Sequence, residues 1–373
     1  MAWKSGRVSR RRRRGEELER PYYGWIWKPL LVLVVLYLMV TVALGIWWSQ
    51  APPGFDIEQA VLERRGEAAF DTGARGTVTV ATLATTVETL LNKPGGYLRN
   101  DIAPPGLWLD NMPNWELGVL ATSRDLARFL PLMAEGDIGH LEEAQEALLG
   151  DDRDWLHPST EHRLAQAVES LDQHLGLLAD PAMGFEPGRG LAPWLETVAD
   201  RLDDLAQRLA SSVGSHEALG ELSVETESLP PRTPWYRVDN IFFEARGTGW
   251  ALGQLLEGVE RDQADLLMEV DAVAEWERLL AELTMTQRRL RSPVVLNGSG
   301  FGVFANHSLV MALHMIRARD LAASLAERLG SLDPPPETLE PPESEAAPEE
   351  ALSEADDAAS RDVEVPVEDG RLE

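Results

Sequence analysis

LLVLVVLYLMVTVALGIWW, residues 30–48, contains no Lys, Arg, Asp or Glu. A helix needs roughly 20 mostly apolar residues to cross the hydrocarbon core of a bilayer. Trp25 and Trp27 precede the stretch and Trp47 and Trp48 close it, with Tyr22 and Tyr23 just outside. Amphipathic rings at both ends suit the two membrane interfaces, where the indole N–H meets headgroups and the ring stays apolar. The segment from Leu30 to Trp48 therefore reads as a transmembrane helix, and it divides the chain into unequal parts.

Charge gives the helix a direction. Residues 1–28 hold nine basic and three acidic residues, a net of +6, including five consecutive arginines from Arg10 to Arg14. Asp56, Glu58 and Glu63 follow the apolar stretch. Basic residues close to a span stay in the cytoplasm. The expected topology has a cytoplasmic N-terminus, a single pass through the inner membrane, and everything after about Gln50 outside the cytoplasm, in the periplasm of a Gram-negative cell. The apolar stretch exceeds the 7–15 residues usual for a cleaved signal, which favours an uncleaved signal-anchor. It also carries no ionisable side chain that would mark a transport path.

The whole chain has 373 residues and a formal charge of −28. Residues 333–373 hold fifteen acidic and two basic residues, a net of −13, which leaves −21 on the middle. So acidic a body is a poor nucleic-acid binder, because phosphate neutralisation needs clustered Lys and Arg. Without cysteine, disulfides, zinc–thiolate sites, iron–sulfur clusters and thiol nucleophiles are excluded together.

Beyond the span, Pro52, Pro53 and Gly54 end the helix, and residues 50–76 read as a polar connector. Residues 77–91, TVTVATLATTVETLL, mix strand-like Val and Thr with a helical spacing of Leu83, Val87, Leu90 and Leu91; helix is favoured for the second half. From Trp115 the apolar period is helical. Leu117, Leu120, Leu126, Phe129 and Leu130 form one stripe, stopped near Pro131, and Asp137 opens a short helix that ends near Gly150. Leu164, Val168, Leu171, Leu175 and Leu178 form a heptad-like seam, as do Leu195, Val198, Leu202, Leu205 and Leu209. The turn between the two seams predicts antiparallel neighbours. Further helices are expected from Asp239 or Asn240, over 262–290, and over 303–329 with Gly330 as its stop. The fold class is all-α: one transmembrane helix followed by a helical-bundle domain of long antiparallel helices over 77–331. Residues 332–373 combine low hydrophobicity with high charge and predict a disordered acidic tail.

Complete catalytic motifs are missing. Asn297-Gly298-Ser299-Gly300-Phe301-Gly302 lacks the third glycine of a dinucleotide loop and the Lys-Ser/Thr of a Walker loop. Ser299 and His307 invite a nucleophile–base pair, yet Asn297 and Phe301 stand where a nucleophile elbow needs glycine. His307 and His314 are seven apart, about 10 Å along a helix, too far to share an ion. No metal and no cofactor is expected. Glu116 beside Trp115 is the one candidate for a raised-pKa acid acting on a glycan, against the commoner role of a capping or solvated carboxylate.

Three loop-to-helix junctions, Asp110-Asn111, Asp239-Asn240 and Asn297-Gly298, share turn residues and nearby aromatics. They define a candidate interaction or ligand surface of Tyr97, Asn100, Asp101, Trp108, Asp110, Asn111, Asn114, Trp115, Glu116, Arg246, Asn297, Asn306 and His307. Caps and satisfied loop groups are the plainer role for most of these.

Three long blocks carry a resemblance: LLNKPGGYLRNDIAPPGLWLDNMPNWELGVL (residues 90–120), TPWYRVDNIFFEARGTGWAL (233–252) and SPVVLNGSGFGVFANHSLVMA (292–312). They resemble the signature blocks of the bacterial domain-of-unknown-function family 2333. The resemblance implies a bacterial membrane-anchored envelope protein and lends no catalytic residue. The expected function is a non-enzymatic scaffold or partner-binding module of the cell envelope, held by the inner membrane, with an envelope protein as partner and self-association open. The alternative is an envelope enzyme, for example a glycan-cleaving hydrolase, with its site in the 93–116 and 297–307 loops.

Overall fold

A computed structural model of the chain describes residues 24–66, 74–212, 233–290, 292, 294–298 and 305–331. The Arg10–Arg14 run, Ser299 and the acidic tail lie outside the described residues. Eleven α-helices and no strand are found among them.

The first, α1 (Gly24–Trp48), carries the segment from Trp27 to Trp48, whose mean hydropathy of 2.7 marks a helix long and apolar enough to cross a membrane. Those 22 residues span about 33 Å at 1.5 Å per residue. Only 6% of the most apolar window is buried, unlike the core helix of a soluble domain.

Ten helices follow: α2 (Ile57–Arg65), α3 (Thr77–Asn92), α4 (Asn111–Met133), α5 (Gly139–Leu149), α6 (Thr160–Leu177), α7 (Leu191–Ala210), α8 (Val238–Asp262), α9 (Ala264–Glu269), α10 (Val273–Thr286) and α11 (His307–Gly330). One continuous apolar core joins them, centred on the fully buried Trp115, Trp194 and Trp276. Within the stretch read as a connector, α2 contributes Ile57, Ala60 and Val61 to the buried set. Its Arg64 reaches Glu88 of α3 and Asp172 of α6, tying three helices.

Several expectations hold and several change. The seam of α7 is buried at every named position from Leu195 to Leu209, but its partner is not α6. α7 lies along α11 and against α4, whereas α6 packs on α3 and α5. An apolar stripe demands a partner without naming it. Residues 77–83 join α3 rather than forming a strand, because Val80, Ala81, Leu83 and Ala84 all reach zero exposure on a helix enclosed nearly all round. The expected 262–290 helix breaks at Asp271, whose φ of 53° lies in the left-handed region. α4 runs through Pro131 to Met133, and α11 keeps Gly330 inside its last turn, with Ser331 as C-cap.

Antiparallel contacts set the polarity. Thr82 meets Gly258 and Thr79 meets Asp262, so α3 opposes α8. Asp203 meets Arg319 and Ala192 meets Gly330, so α7 opposes α11. Glu282 meets His314 and Asp271 meets Arg328, so α10 opposes α11. α4 and α8 cross where a Cβ on Gly118 would clash with Glu244 O and one on Gly247 with Trp115 O; only glycine allows that backbone approach. The turns therefore gather at two ends. One end holds the 93–110 and 150–159 loops and the starts of α4, α8 and α11. The other holds Arg75, Phe185, Asp262 and Asp271.

Candidate functional site

Lys93 follows the last residue of α3 and Glu116 lies on the second turn of α4. Both side chains are completely buried, with Lys93 Nζ 2.5 Å from Glu116 Oε1. The ammonium also donates to Gly96 O at 2.5 Å, and Leu98 N donates to the Glu116 carboxylate at 2.9 and 3.1 Å. Burial pushes Glu116 up to about 7, against the pull of Lys93 and of the Leu98 and Arg99 N–H groups. A carboxyl tuned this way suits acid chemistry, but this one has zero exposure and no path to a substrate. Its geometry instead fastens the loop between α3 and α4.

The neighbouring candidates do the same. Tyr97, raised by burial, donates from its hydroxyl to Asp152 O at 2.9 Å. Arg99 pairs with Asp152 at 2.5 Å, and Asn100 donates to Asp154 O and Glu161 Oε2 at 2.8 Å each. Asp101 packs under Gly106, its carboxyl raised by burial and by Glu161. Asp110 stands at the N-cap of α4 without a side-chain cap bond; its carbonyl accepts from Asn114 Nδ2 at 2.7 Å. Asn111 Oδ1 and the indole N–H of Trp115 are buried without partners, and Trp115 packs 5.2 Å from Trp250. Trp108 alone among these aromatics stands 58% exposed.

The second group sits at the start of α11. Asn306 caps that helix by accepting from Leu309 N at 2.9 Å, and its Nδ2 donates to Gly298 O at 2.8 Å. Asn297 bridges to Asn306, donates to Ser212 O at 3.3 Å and accepts from Ser308 N at 3.3 Å. His307 Nδ1 accepts from Leu296 N at 3.0 Å, and burial lowers its pKa. Such an acceptor role holds the ring neutral with its proton on Nε2. Arg246, lowered by burial, closes the end of α10 by donating to Gln287 O and Arg288 O at 3.2 and 2.9 Å.

Of these residues His307 lines a cleft of about 330 Å³ between α8, α10 and α11. Phe242, Met285, Leu290 and Met311 supply an apolar floor; Arg288, Arg289, His307 and His314 line the rest, with no carboxylate among the lining residues. The cleft brings His307 and Arg288 together but leaves the 93–116 group outside. The two loop regions expected to form one surface thus form two.

A family model described as "Uncharacterized protein conserved in bacteria (DUF2333)" matches residues 21–330. The chain belongs to this family. The match covers the apolar helix and the whole described body, in line with the resemblance of the three blocks, and it brings no activity with it. No curated protein and no solved structure matches the chain.

Two groups escaped the sequence reading of this DUF2333 chain. Asp262, pushed up to about 6 by burial, accepts from Thr79 N and Thr79 Oγ1 at 2.7 Å each at the start of α3. A carboxylate there meets free N–H groups and the positive pole of the helix. His174 is fully buried with neither ring nitrogen bonded, and burial lowers it to about 4. Its spacing among Leu171, Leu175 and Leu178 was the signal that could have found it. Among the described residues no three His, Asp or Glu side chains converge as a metal site would require.

Proposed function

We propose that this DUF2333 protein is a single-pass inner-membrane protein whose helical body stands in the periplasm and works by binding an envelope protein, without catalysis. Supporting the anchor are the length, apolarity and exposure of α1, together with the basic residues before it and the acidic residues after it. The observation that carries the binding role is the commitment of the reactive groups. Glu116, Lys93, Asn100, Asn297 and Asn306 all hold loops or helix ends, and the one strongly raised candidate acid is sealed from solvent.

The docking place we assign is the cleft of Phe242, Met285 and Met311 rimmed by Arg288 and Arg289. Flexible thioethers adapt to a partner's apolar side chains, and the Arg288 and Arg289 guanidinium groups at the rim favour an apolar segment bearing acidic residues. The test is photo-crosslinking in living cells from Met285 and Met311, read by mass spectrometry, with Glu196 on the outer face of α7 as the control position. A defined envelope protein captured from the cleft and not from Glu196 supports the assignment. Loss of a hydrolytic activity in His307→Ala, with helicity and crosslinks unchanged, would establish the enzyme reading instead.

A further inference from the structure

The last two turns of α1 are not bare. Thr41 and Gly45 are buried, and Leu44 and Trp48 half-buried, all on one face at helical spacing. The 93–110 loop packs on Gly45 and Trp48. A Cβ on Gly45 would lie 3.8 Å from both Pro105 and Leu109, and one on Gly95 would strike the indole of Trp48. Thr41 lies seven residues before Trp48, about 10 Å deeper along the helix axis. If α1 crosses the bilayer with Trp48 at the interface, part of this loop lies below the headgroups.

The outward side of the same loop suits that depth. Ile102, Leu107 and Trp108 are each more than half exposed. Tied to this loop through Asn100 and Arg99 is the 150–159 loop, which exposes Trp155 and Leu156. Beside Asp110, close enough for its charge to raise Asp239, begins α8, and the turn before it exposes Trp235 and Tyr236. Seven of the twelve large apolar side chains exposed outside α1, among the described residues, thus sit on three linked segments at the end where α1 enters. At the opposite end only Leu132 and Met268 are exposed, each alone. Contiguous exposed apolar surface marks an interaction site, and Trp and Tyr are the residues that membrane interfaces favour. Arg153 and Arg237 are exposed on the same segments, where anionic headgroups would meet them.

We infer that this end of the bundle rests on the lipid surface, with the 102–108 loop inserted beside α1 into the outer leaflet of the membrane it spans. The inference rests on the anchor reading of the preceding section. It makes α1 part of a broader footing that sets the body's tilt and holds the body down, rather than a tether from which the body swings.

The absence of native cysteine allows single spin labels. The full chain would be reconstituted into phosphatidylethanolamine–phosphatidylglycerol vesicles with labels at Leu107→Cys, Trp108→Cys, Val35→Cys in mid-span and Glu196→Cys on α7. Each label's collision rate with oxygen, which concentrates in lipid, is compared with that of a water-soluble nickel chelate. The Leu107 and Trp108 labels should favour oxygen as the Val35 label does, and the Glu196 label should favour nickel. Lipid-like behaviour at Val35 with water-like behaviour at Leu107 and Trp108 would overturn the insertion and leave the anchor standing. Water-like behaviour at Val35 would overturn both. Unlabelled protein supplies a check independent of cysteine substitution: acyl-brominated lipids should quench less of the emission in Trp108→Phe than in the native chain, and equal quenching would count against insertion.

Discussion

Replacing Lys93 by Met leaves Glu116 in a site with zero exposure and no counter-charge. Breaking a buried ion pair by removing one partner costs about 3–5 kcal/mol, because the remaining charge is uncompensated. The pH dependence makes the prediction specific. The folded pKa of Glu116 is raised to about 7 from 4.5. Its contribution to stability is therefore fully present below pH 4.5 and lost as pH rises through 7, at about 1.4 kcal/mol per pH unit. Lys93 is the leading influence that lowers this pKa, so its removal moves the folded value above 7. Above pH 7 the native protein then levels off, while Lys93→Met goes on losing stability at up to about 1.4 kcal/mol per pH unit until its own higher pKa is passed. Urea unfolding of the reconstituted full chain, followed by helical circular dichroism at pH 6, 7 and 8, reads both quantities. Adding Glu116→Gln removes the stranded charge, keeps an acceptor for Leu98 N, and should recover a large part of the loss together with its pH dependence. A Lys93→Met penalty under about 1 kcal/mol, or one that stays constant from pH 6 to 8, would refute the buried-pair reasoning.

Other perturbations test separate parts of the fold. His174, lowered to about 4 from 6.5, holds its stabilising effect above pH 6.5 and loses it as pH falls toward 4. His174→Leu should flatten the acid limb of a Tm-against-pH profile and raise Tm at pH 5; an unchanged profile would show that the ring is hydrated. Gly118→Ala or Gly247→Ala forces a methyl group into facing backbone at the α4–α8 crossing and should cost at least about 1–3 kcal/mol, whereas Gly176→Ala, whose Cβ would meet nothing within 4 Å, should be neutral or mildly stabilising in the same urea titration. Asp262→Asn keeps an acceptor for Thr79 and removes the charge at the start of α3. The raised Asp262 carboxyl contributes stability that is fully present below pH 3.8 and lost as pH rises through about 6. The substitution should therefore cost less at pH 8 than at pH 5 in the same titration, and a larger loss at pH 8 would refute the burial-raised carboxyl.

The helices were legible because apolar side chains recur at a period that only one backbone geometry satisfies. The seam from Leu195 to Leu209 specified a buried face down to the residue. It could not specify α11 as its partner, since any helix with a matching stripe would serve and the choice depends on connections far along the chain. The break at Asp271 was hidden because a left-handed residue other than glycine leaves no composition signal. Among 62 acidic residues, Glu116 looked ordinary beside Trp115. The missing clue lay in its partner: Lys93 is the only lysine of the described body, next to Pro-Gly-Gly that wraps the loop around it. Membrane insertion of the 102–108 loop was equally hidden, because the local pattern around Ile102, Leu107 and Trp108 does not tell a lipid-facing side chain from a core-facing one. Only the packing of Pro105 and Leu109 on Gly45 sets them at the membrane end of the body.

The account stands on the body being carried across the membrane by α1. Alkaline phosphatase, which folds into an active enzyme only after export, can be fused at the C-terminus of the full chain and expressed in a Gram-negative cell. The account predicts phosphatase activity that stays with the membrane fraction through carbonate extraction at the full length of the fusion. Inactive phosphatase at normal expression, or active phosphatase released as a shortened soluble product, would contradict it.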